Sequence, residues 1–314
     1  SSKTTKEAAI RQLRQITNAT QPDAQRLLKA NGYRIEAAVD AFYADDAAMS
    51  NAAKAAGGGV KGEKESKEKL GKLFDQYKDT CREAHSSDQR ALLTPRLLLH
   101  ADEDGPDVSI EGAMSMCEDL SLSPEDAVML PLSFYLRSPS MGHYTRDAYI
   151  EGWRTLDGAD TVAKQKQLLP KLREELEKDA EVRGALASEG KGGLFARVYD
   201  WVYAYARDEG QKSLKLDTAI AFWRLLLPIS PSYAREGSSG RFTARQLDLW
   251  EKYLTNETGG RAISKDTWTL FLDFTKEIDA DFKEHDFDAA WPSVIDDFVT
   301  WALDQPKSDA MDTS

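Results

Sequence analysis

Two cysteines and four histidines are the side chains best suited to covalent or metal chemistry in this 314-residue chain, and their placement argues for neither. Cys81 stands one helical turn before His85, so a thiolate–imidazole pair is sterically allowed, but nearness in sequence does not create an activating base. Cys117 falls on an apolar stripe with Ile110, Ala113 and Met114, where a packed thiol is the simpler account. His85, His100, His143 and His285 are scattered, without the spacing of metal ligands. The run Asp-Glu-Asp-Gly-Pro-Asp at 102–107 invites a calcium reading. An EF-hand loop needs oxygen ligands at its first, third and fifth places, glycine at the sixth, an apolar residue at the eighth and Glu at the twelfth. With Gly105 sixth, His100 is first and Asp107 eighth, although Glu111 is twelfth. With Val108 eighth, Ala101 is first, Pro106 sixth and Gly112 last. Neither register supplies the ligand set, so no metal is expected there. No G-x-x-x-x-G-K-[ST] phosphate-binding motif occurs, and no cofactor is expected.

The chemistry that the sequence does favour is docking. Between residues 264 and 304 there are eleven Asp or Glu against three Lys, a net −8 out of the chain's formal −12. Large aromatics alternate with these carboxylates at helical spacing, in S-K-D-T-W-T-L-F-L-D-F (264–274) and A-A-W-P-S-V-I-D-D-F-V (289–299). Such a segment packs through its aromatics and presents negative charge to solvent, which suits a basic protein partner. Ser264 can cap a helix with Asp266 in its first turn. Pro292 suits the first turn of the next, with Ile295, Phe298, Val299 and Ala302 inward and Asp296 outward. The bland alternative is that Asp266 complements the helix dipole, worth roughly 0.3–1 kcal/mol, and that Asp296 is a solvated charge.

The elements that must carry these residues are helices. Residues 5–46 hold three short apolar stripes: Ala8, Ala9, Ile10, Leu13 and Ile16; Ala24, Leu27 and Leu28 after Pro22; and Ile35, Ala38, Val39 and Phe42. Asn31-Gly32 stops the second. Residues 47–65 lose apolar periodicity in an Ala/Gly-rich run and are expected to form a flexible linker. From residue 66 to 304 helical periodicity returns, in Leu70, Leu73, Phe74 and Tyr77, then Leu194, Val198, Trp201, Val202 and Tyr205, then Ala219, Phe222, Trp223 and Leu226, then Leu247, Trp250 and Leu254. Ser123-Pro124-Glu125 is expected to start a helix. The fold class is therefore all-α, with at most a short two-stranded pairing between loops. Residues 229–240 form an expected exposed loop, and 305–314 an expected disordered tail.

Composition narrows the partners. A sequence pI near 5.0 argues against nucleic acid and against an anionic membrane surface, both of which want clustered Lys and Arg. No apolar run reaches 18 residues and no charged-then-apolar leader opens the sequence, so a reduced, intracellular protein is expected.

Several motifs in order carry a family resemblance: L-F-D-Q-Y-K-D (73–79), S-I-E-G-A-M-S-M-C-E-D-L (109–120), L-D-T-A-I-A-F-W-R-L-L-L (216–227), L-D-L-W (247–250) and the two C-terminal stretches above. Residues 67–301 resemble the defective-in-cullin-neddylation family, whose C-terminal domain is all-helical with degenerate EF-hand-like elements. Residues 5–46 resemble the ubiquitin-associated (UBA) module that often precedes it. The usual Met-Gly-Phe/Tyr loop of such modules is replaced by Ile16-Thr17-Asn18-Ala19.

The resemblance implies a monomeric, non-catalytic scaffold ligase, found in nucleus and cytoplasm, that binds a cullin and the neddylation conjugating enzyme together and holds no covalent intermediate. It implies that Asp266, Ala290 and Asp296 contact the cullin's C-terminal winged-helix region. It also implies that Ile110, Ala113, Met129, Leu132, Ser133, Leu136, Tyr144, Tyr205, Phe222 and Leu225 line a pocket for the conjugating enzyme's N-acetylated methionine. Acetylation would suit such a pocket by removing an ammonium that is costly to bury. Ordinary helix core is the alternative for some of these ten, and Met141-Gly142-His143 departs from the family pattern at the pocket rim. The competing class is a ubiquitin-binding adaptor working through the UBA-like unit.

Overall fold

The computed structural model describes residues 2–86, 107–237 and 239–306, and those residues hold thirteen α-helices. The chain divides into two compact units, Ser1–Lys69 and Leu70–Ser314.

The first unit packs α1 (Ser2–Thr17), α2 (Gln21–Ala30) and α3 (Ile35–Tyr43) against one another. Thr20 caps α2, its hydroxyl accepting the Asp23 amide at 3.3 Å, and Pro22 sits in the first turn, where it loses no helical hydrogen bond. The helix ends at Asn31, followed by Gly32 at φ +61°. The core consists of Leu13, Ala24, Leu27, Leu28, Ala38 and Phe42 with Ala9, Ala19, Ala48 and Ala52. On α1 the inward face is Ala9, Leu13 and Thr17; Ala8 and Ile16, expected on it, are exposed.

The segment 47–65, expected as a flexible linker, lies inside α4 (Asp46–Ser86). Alanines precede the four glycines of this segment (Gly57, Gly58, Gly59 and Gly62), and Lys/Glu-rich turns follow them. These strong helix formers offset a cost of about 1 kcal/mol per glycine. Ala48 and Ala52 of α4 belong to the first core, while Leu70, Phe74 and Tyr77 belong to the second.

The second unit contains α5 (Ile110–Leu120), α6 (Met129–Tyr135), α7 (Arg146–Thr155), α8 (Val162–Glu177), α9 (Leu194–Tyr205), α10 (Leu216–Leu226), α11 (Ala244–Asn256), α12 (Lys265–Glu277) and α13 (Ser293–Leu303). Helix α9 packs against α6, α8 and α12. Helices α10, α11, α13 and α12 follow in a chain of neighbours. Among the described residues there are no strands, only isolated bridges. Val108↔Tyr144 and Leu214↔Ile263 each join two loops shortly before helices begin, the kind of loop pairing expected from the sequence. The second of these ties the start of α10 to the start of α12.

Two local expectations give way. Ser123-Pro124-Glu125 is a turn, and α6 starts at Met129. There the Ser123 hydroxyl accepts the Glu125 amide and the Asp126 carboxylate accepts the Val128 amide at 2.9 Å, so side chains satisfy the backbone before a helix can. The 229–240 loop is not wholly exposed: Ser230 is buried, and the Ser232 hydroxyl lies 2.9 Å from that of Thr275 on α12. A 3-10 helix, Gly184–Glu189, lies between α8 and α9. The calcium-loop candidate at 102–107 lies outside the described residues except for Asp107, as do 307–314 of the expected tail. No helix among the described residues is long and apolar enough to cross a membrane.

Candidate functional site

A cavity of about 680 Å³ opens between α5, α6, the 138–144 loop, the end of α9 and α10. Eight of the ten residues expected from sequence meet there: Ile110 and Ala113 from α5, Met129 and Ser133 from α6, Tyr144, Tyr205, Phe222 and Leu225. Leu132 and Leu136 do not line it. Both are fully buried in the core, because Leu130–Tyr135 of α6 is buried on all sides and its remaining apolar faces serve packing.

The polar groups of this cavity are few. The Ser133 hydroxyl lies 3.0 Å from that of Tyr144, both buried. Burial pushes the Tyr144 phenol well above the ordinary tyrosine range and raises that of Tyr205 as well, so both stay protonated and can donate. Both carboxylate oxygens of Asp126 at the edge accept from one nitrogen of Arg173, Nη2, at 2.5 and 2.6 Å, and Arg224 is engaged by Glu251. Cys117 lines the wall with its Sγ 3.9 Å from Met129 Sδ, and burial raises its thiol pKa. A buried thiol with a raised pKa is a poor nucleophile.

The rim is apolar and open. Ile110, Met114 and Met141 are 44%, 45% and 51% exposed. Gly142 adopts φ +74°, and a Cβ there would stand 3.0 Å from Ile110 Cγ1 and 3.3 Å from its Cα. The backbone thus reaches Ile110 at a place only glycine fits without strain. Met141 and Gly142 take the rim place expected of them, whereas Met114 and Cys117 were not foreseen as lining residues. The Ile110/Ala113/Cys117 stripe, which continues at i+3 and i+7, held the signal for Cys117.

The acidic face lies on α12 and α13. Ser264 caps α12, its hydroxyl accepting the Thr267 amide at 3.1 Å, and Asp266 follows in the first turn, exposed. Its neighbour Lys265 is engaged by Asp200 of α9, the amine donating to the Asp200 carbonyl at 2.8 Å, and so does not neutralise it. No cation pairs with Asp266 among the described residues. Ala290 is exposed in the loop before α13, and Pro292 caps that helix. Ile295, Phe298, Val299 and Ala302 face inward as expected.

Asp296 departs from the expected free surface acid. Its Oδ1 accepts a hydrogen bond from His285 Nε2 at 2.8 Å, and the imidazole is almost wholly buried. Asp266 shares no hydrogen bond with Ala290 or Asp296 among the described residues; α12 and α13 join them by packing. Among the described residues no cluster of His, Cys, Asp or Glu could hold a metal ion.

A family model described as cullin binding matches residues 164–301, and one described as a UBA-like domain matches 7–48. Defective in cullin neddylation protein 1 of Mycosarcoma maydis is 52% identical over 326 aligned residues, covering 100% of both chains. The protein of the same name from Cryptococcus neoformans var. neoformans serotype D is 33% identical over 310 residues, covering 95% of this chain and 94% of its own. DCN1-like protein 3 of Xenopus laevis is 28% identical over 259 residues, covering 80% of this chain and 68% of its own. With full-length similarity of this order, the chain belongs to the defective-in-cullin-neddylation family.

Proposed function

We propose that the second unit is a two-site scaffold for cullin neddylation. The acidic face holding Asp266, Ala290 and Asp296 docks the basic C-terminal winged-helix region of a cullin. The cavity takes the N-acetylated methionine of the neddylation conjugating enzyme. Transfer of the modifier to the cullin lysine then speeds up because two partners are brought to high effective concentration in a fixed orientation. No side chain of the scaffold reacts. The low reactivity of buried Cys117 fits that division of labour.

The observation that carries this reading is the cavity: an apolar wall with hydroxyls from Ser133, Tyr144 and Tyr205 and its edge carboxylate Asp126 already paired. A methionine side chain suits the wall, and an acetyl amide can use the hydroxyls. A free ammonium would be desolvated with only the exposed rim acid Glu125 to compensate. Calorimetry with acetylated and free N-terminal peptides of the conjugating enzyme tests it. Much tighter binding of the acetylated form supports the reading, and equal affinity ends it.

A second reading, ubiquitin capture by the first unit, is favoured by Ile16 and Tyr43, large apolar residues 50% and 58% exposed. Ile16→Asp with Tyr43→Asp in the full chain separates the two. Stimulation of cullin modification survives on the scaffold reading and fails on the adaptor reading. The scaffold acts as a monomer in nucleus and cytoplasm; sedimentation and imaging of a tagged chain check both statements.

A further inference from the structure

Among the described residues, His285 is a buried histidine ring that the docking account leaves without a task. It lies in the connection between α12 and α13, the same stretch that carries Ala290. Its side chain is 1% exposed, and three aromatic rings surround it. Phe287 stands perpendicular to it at 4.6 Å between centroids, Phe274 of α12 is at 5.8 Å, and Trp291 is at 5.9 Å. Nε2 meets the Asp296 carboxylate at 2.8 Å. Because a carboxylate only accepts, Nε2 carries the proton in this contact.

The surrounding backbone is fixed as well. The Asp279 carboxylate accepts the amides of Asp281 and Glu284 at 3.1 and 2.7 Å, and the Gln246 side chain of α11 donates to the Asp279 carbonyl at 3.0 Å. The imidazole therefore reaches Asp296 from a rigid seat. Asp296 remains 29% exposed, so one oxygen is held from inside while the group still faces solvent.

We propose that His285 is a positioning residue for the cullin-docking face: its buried Nε2–H fixes the rotamer of Asp296 so that the carboxylate is presented ready for a cationic partner. This rests on the docking reading above and deepens it. A free aspartate must be immobilised when it binds, whereas one already held loses less freedom, an advantage of roughly three- to tenfold in affinity. The same ring backs Phe287, which is 52% exposed, so the apolar part of this face shares the support.

The test is a double-mutant cycle in the full chain, with binding to a cullin C-terminal winged-helix fragment as the readout. His285→Phe keeps an aromatic ring in the cage and removes the donor. It is expected to weaken cullin binding roughly three- to tenfold, while affinity for the acetylated peptide in the cavity, which His285 does not line, stays unchanged and certifies the fold. Asp296→Asn added to it should cost less than in the wild-type background, whereas Asp266→Asn should cost the same in both. His285→Gln, which retains an N–H donor, should recover most of the affinity and guards against a Phe variant that packs badly. Wild-type cullin affinity in His285→Phe, or full additivity with Asp296→Asn, overturns the positioning role and leaves the docking face standing. Unchanged affinity in Asp296→Asn alone overturns both.

Discussion

Tyr199 and Trp268 bind each other twice: the Tyr199 hydroxyl donates to the Trp268 carbonyl at 2.8 Å, and the Trp268 indole donates to the Tyr199 carbonyl at 2.9 Å. Their rings stack 4.6 Å apart, and the Trp223 indole donates to the same Tyr199 hydroxyl at 2.8 Å. Helix α9 ends in Tyr205 of the cavity, α10 carries Phe222 and Leu225 of its wall, and α12 carries Asp266 in its first turn. This buried knot thus fixes the helices bearing the pocket to the helix bearing the acidic face, as a scaffold with two sites requires.

Tyr199→Phe strands the Trp223 indole N–H in the core and removes the extra bond to the Trp268 carbonyl. A loss of about 1–3 kcal/mol is expected, since unpaired buried polar groups keep their full desolvation cost. For a unit of this size that lowers the melting temperature by roughly 2–10 °C, readable by calorimetry. An unchanged melting temperature contradicts the role assigned to the knot.

Asp266→Arg should weaken cullin binding at least about thirtyfold, the scale of an interface hot spot. Its effect on stability should stay within about 1 kcal/mol, because an exposed first-turn acid contributes little beyond the helix dipole. Wild-type affinity should also fall as salt rises, and the variant should lose that dependence. Titration by interferometry at two ionic strengths checks both.

Phe222→Ala removes an apolar wall from the cavity. Peptide affinity should drop roughly ten- to hundredfold, the worth of about 1.5–3 kcal/mol of aromatic burial, while cullin affinity is unaffected. Peptide binding that survives the change places the methionine elsewhere.

Gly142→Ala tests the rim. At φ +74° a Cβ costs roughly 1–2 kcal/mol, and here it must also push Ile110 aside. Lower stability together with weaker peptide binding is expected. Lower stability with unaltered binding detaches the rim from recognition.

The helices and their inward faces were legible in the sequence because an amphipathic helix writes its burial at a period of 3.6, as Ile295, Phe298, Val299 and Ala302 do on α13. Family motifs located the cavity, but periodicity failed inside α6. There Leu132 and Leu136 share a stripe with Met129 and Ser133 yet turn into the core. The His285–Asp296 bond was illegible for another reason: it joins residues eleven apart across an irregular loop, and no repeat marks such a contact. The glycines of 47–65 misled in the opposite sense, since local entropy argued for a coil while the flanking alanines and charged residues sustain α4.

The central claim is that one chain must hold both partners at once. It is tested most directly by single-turnover transfer of the modifier to a cullin in the presence of wild-type chain, Asp266→Arg or Phe222→Ala. The scaffold account predicts that wild type accelerates transfer and that each variant, still folded, falls back toward the rate without it. Acceleration that persists when either face is disabled contradicts the account.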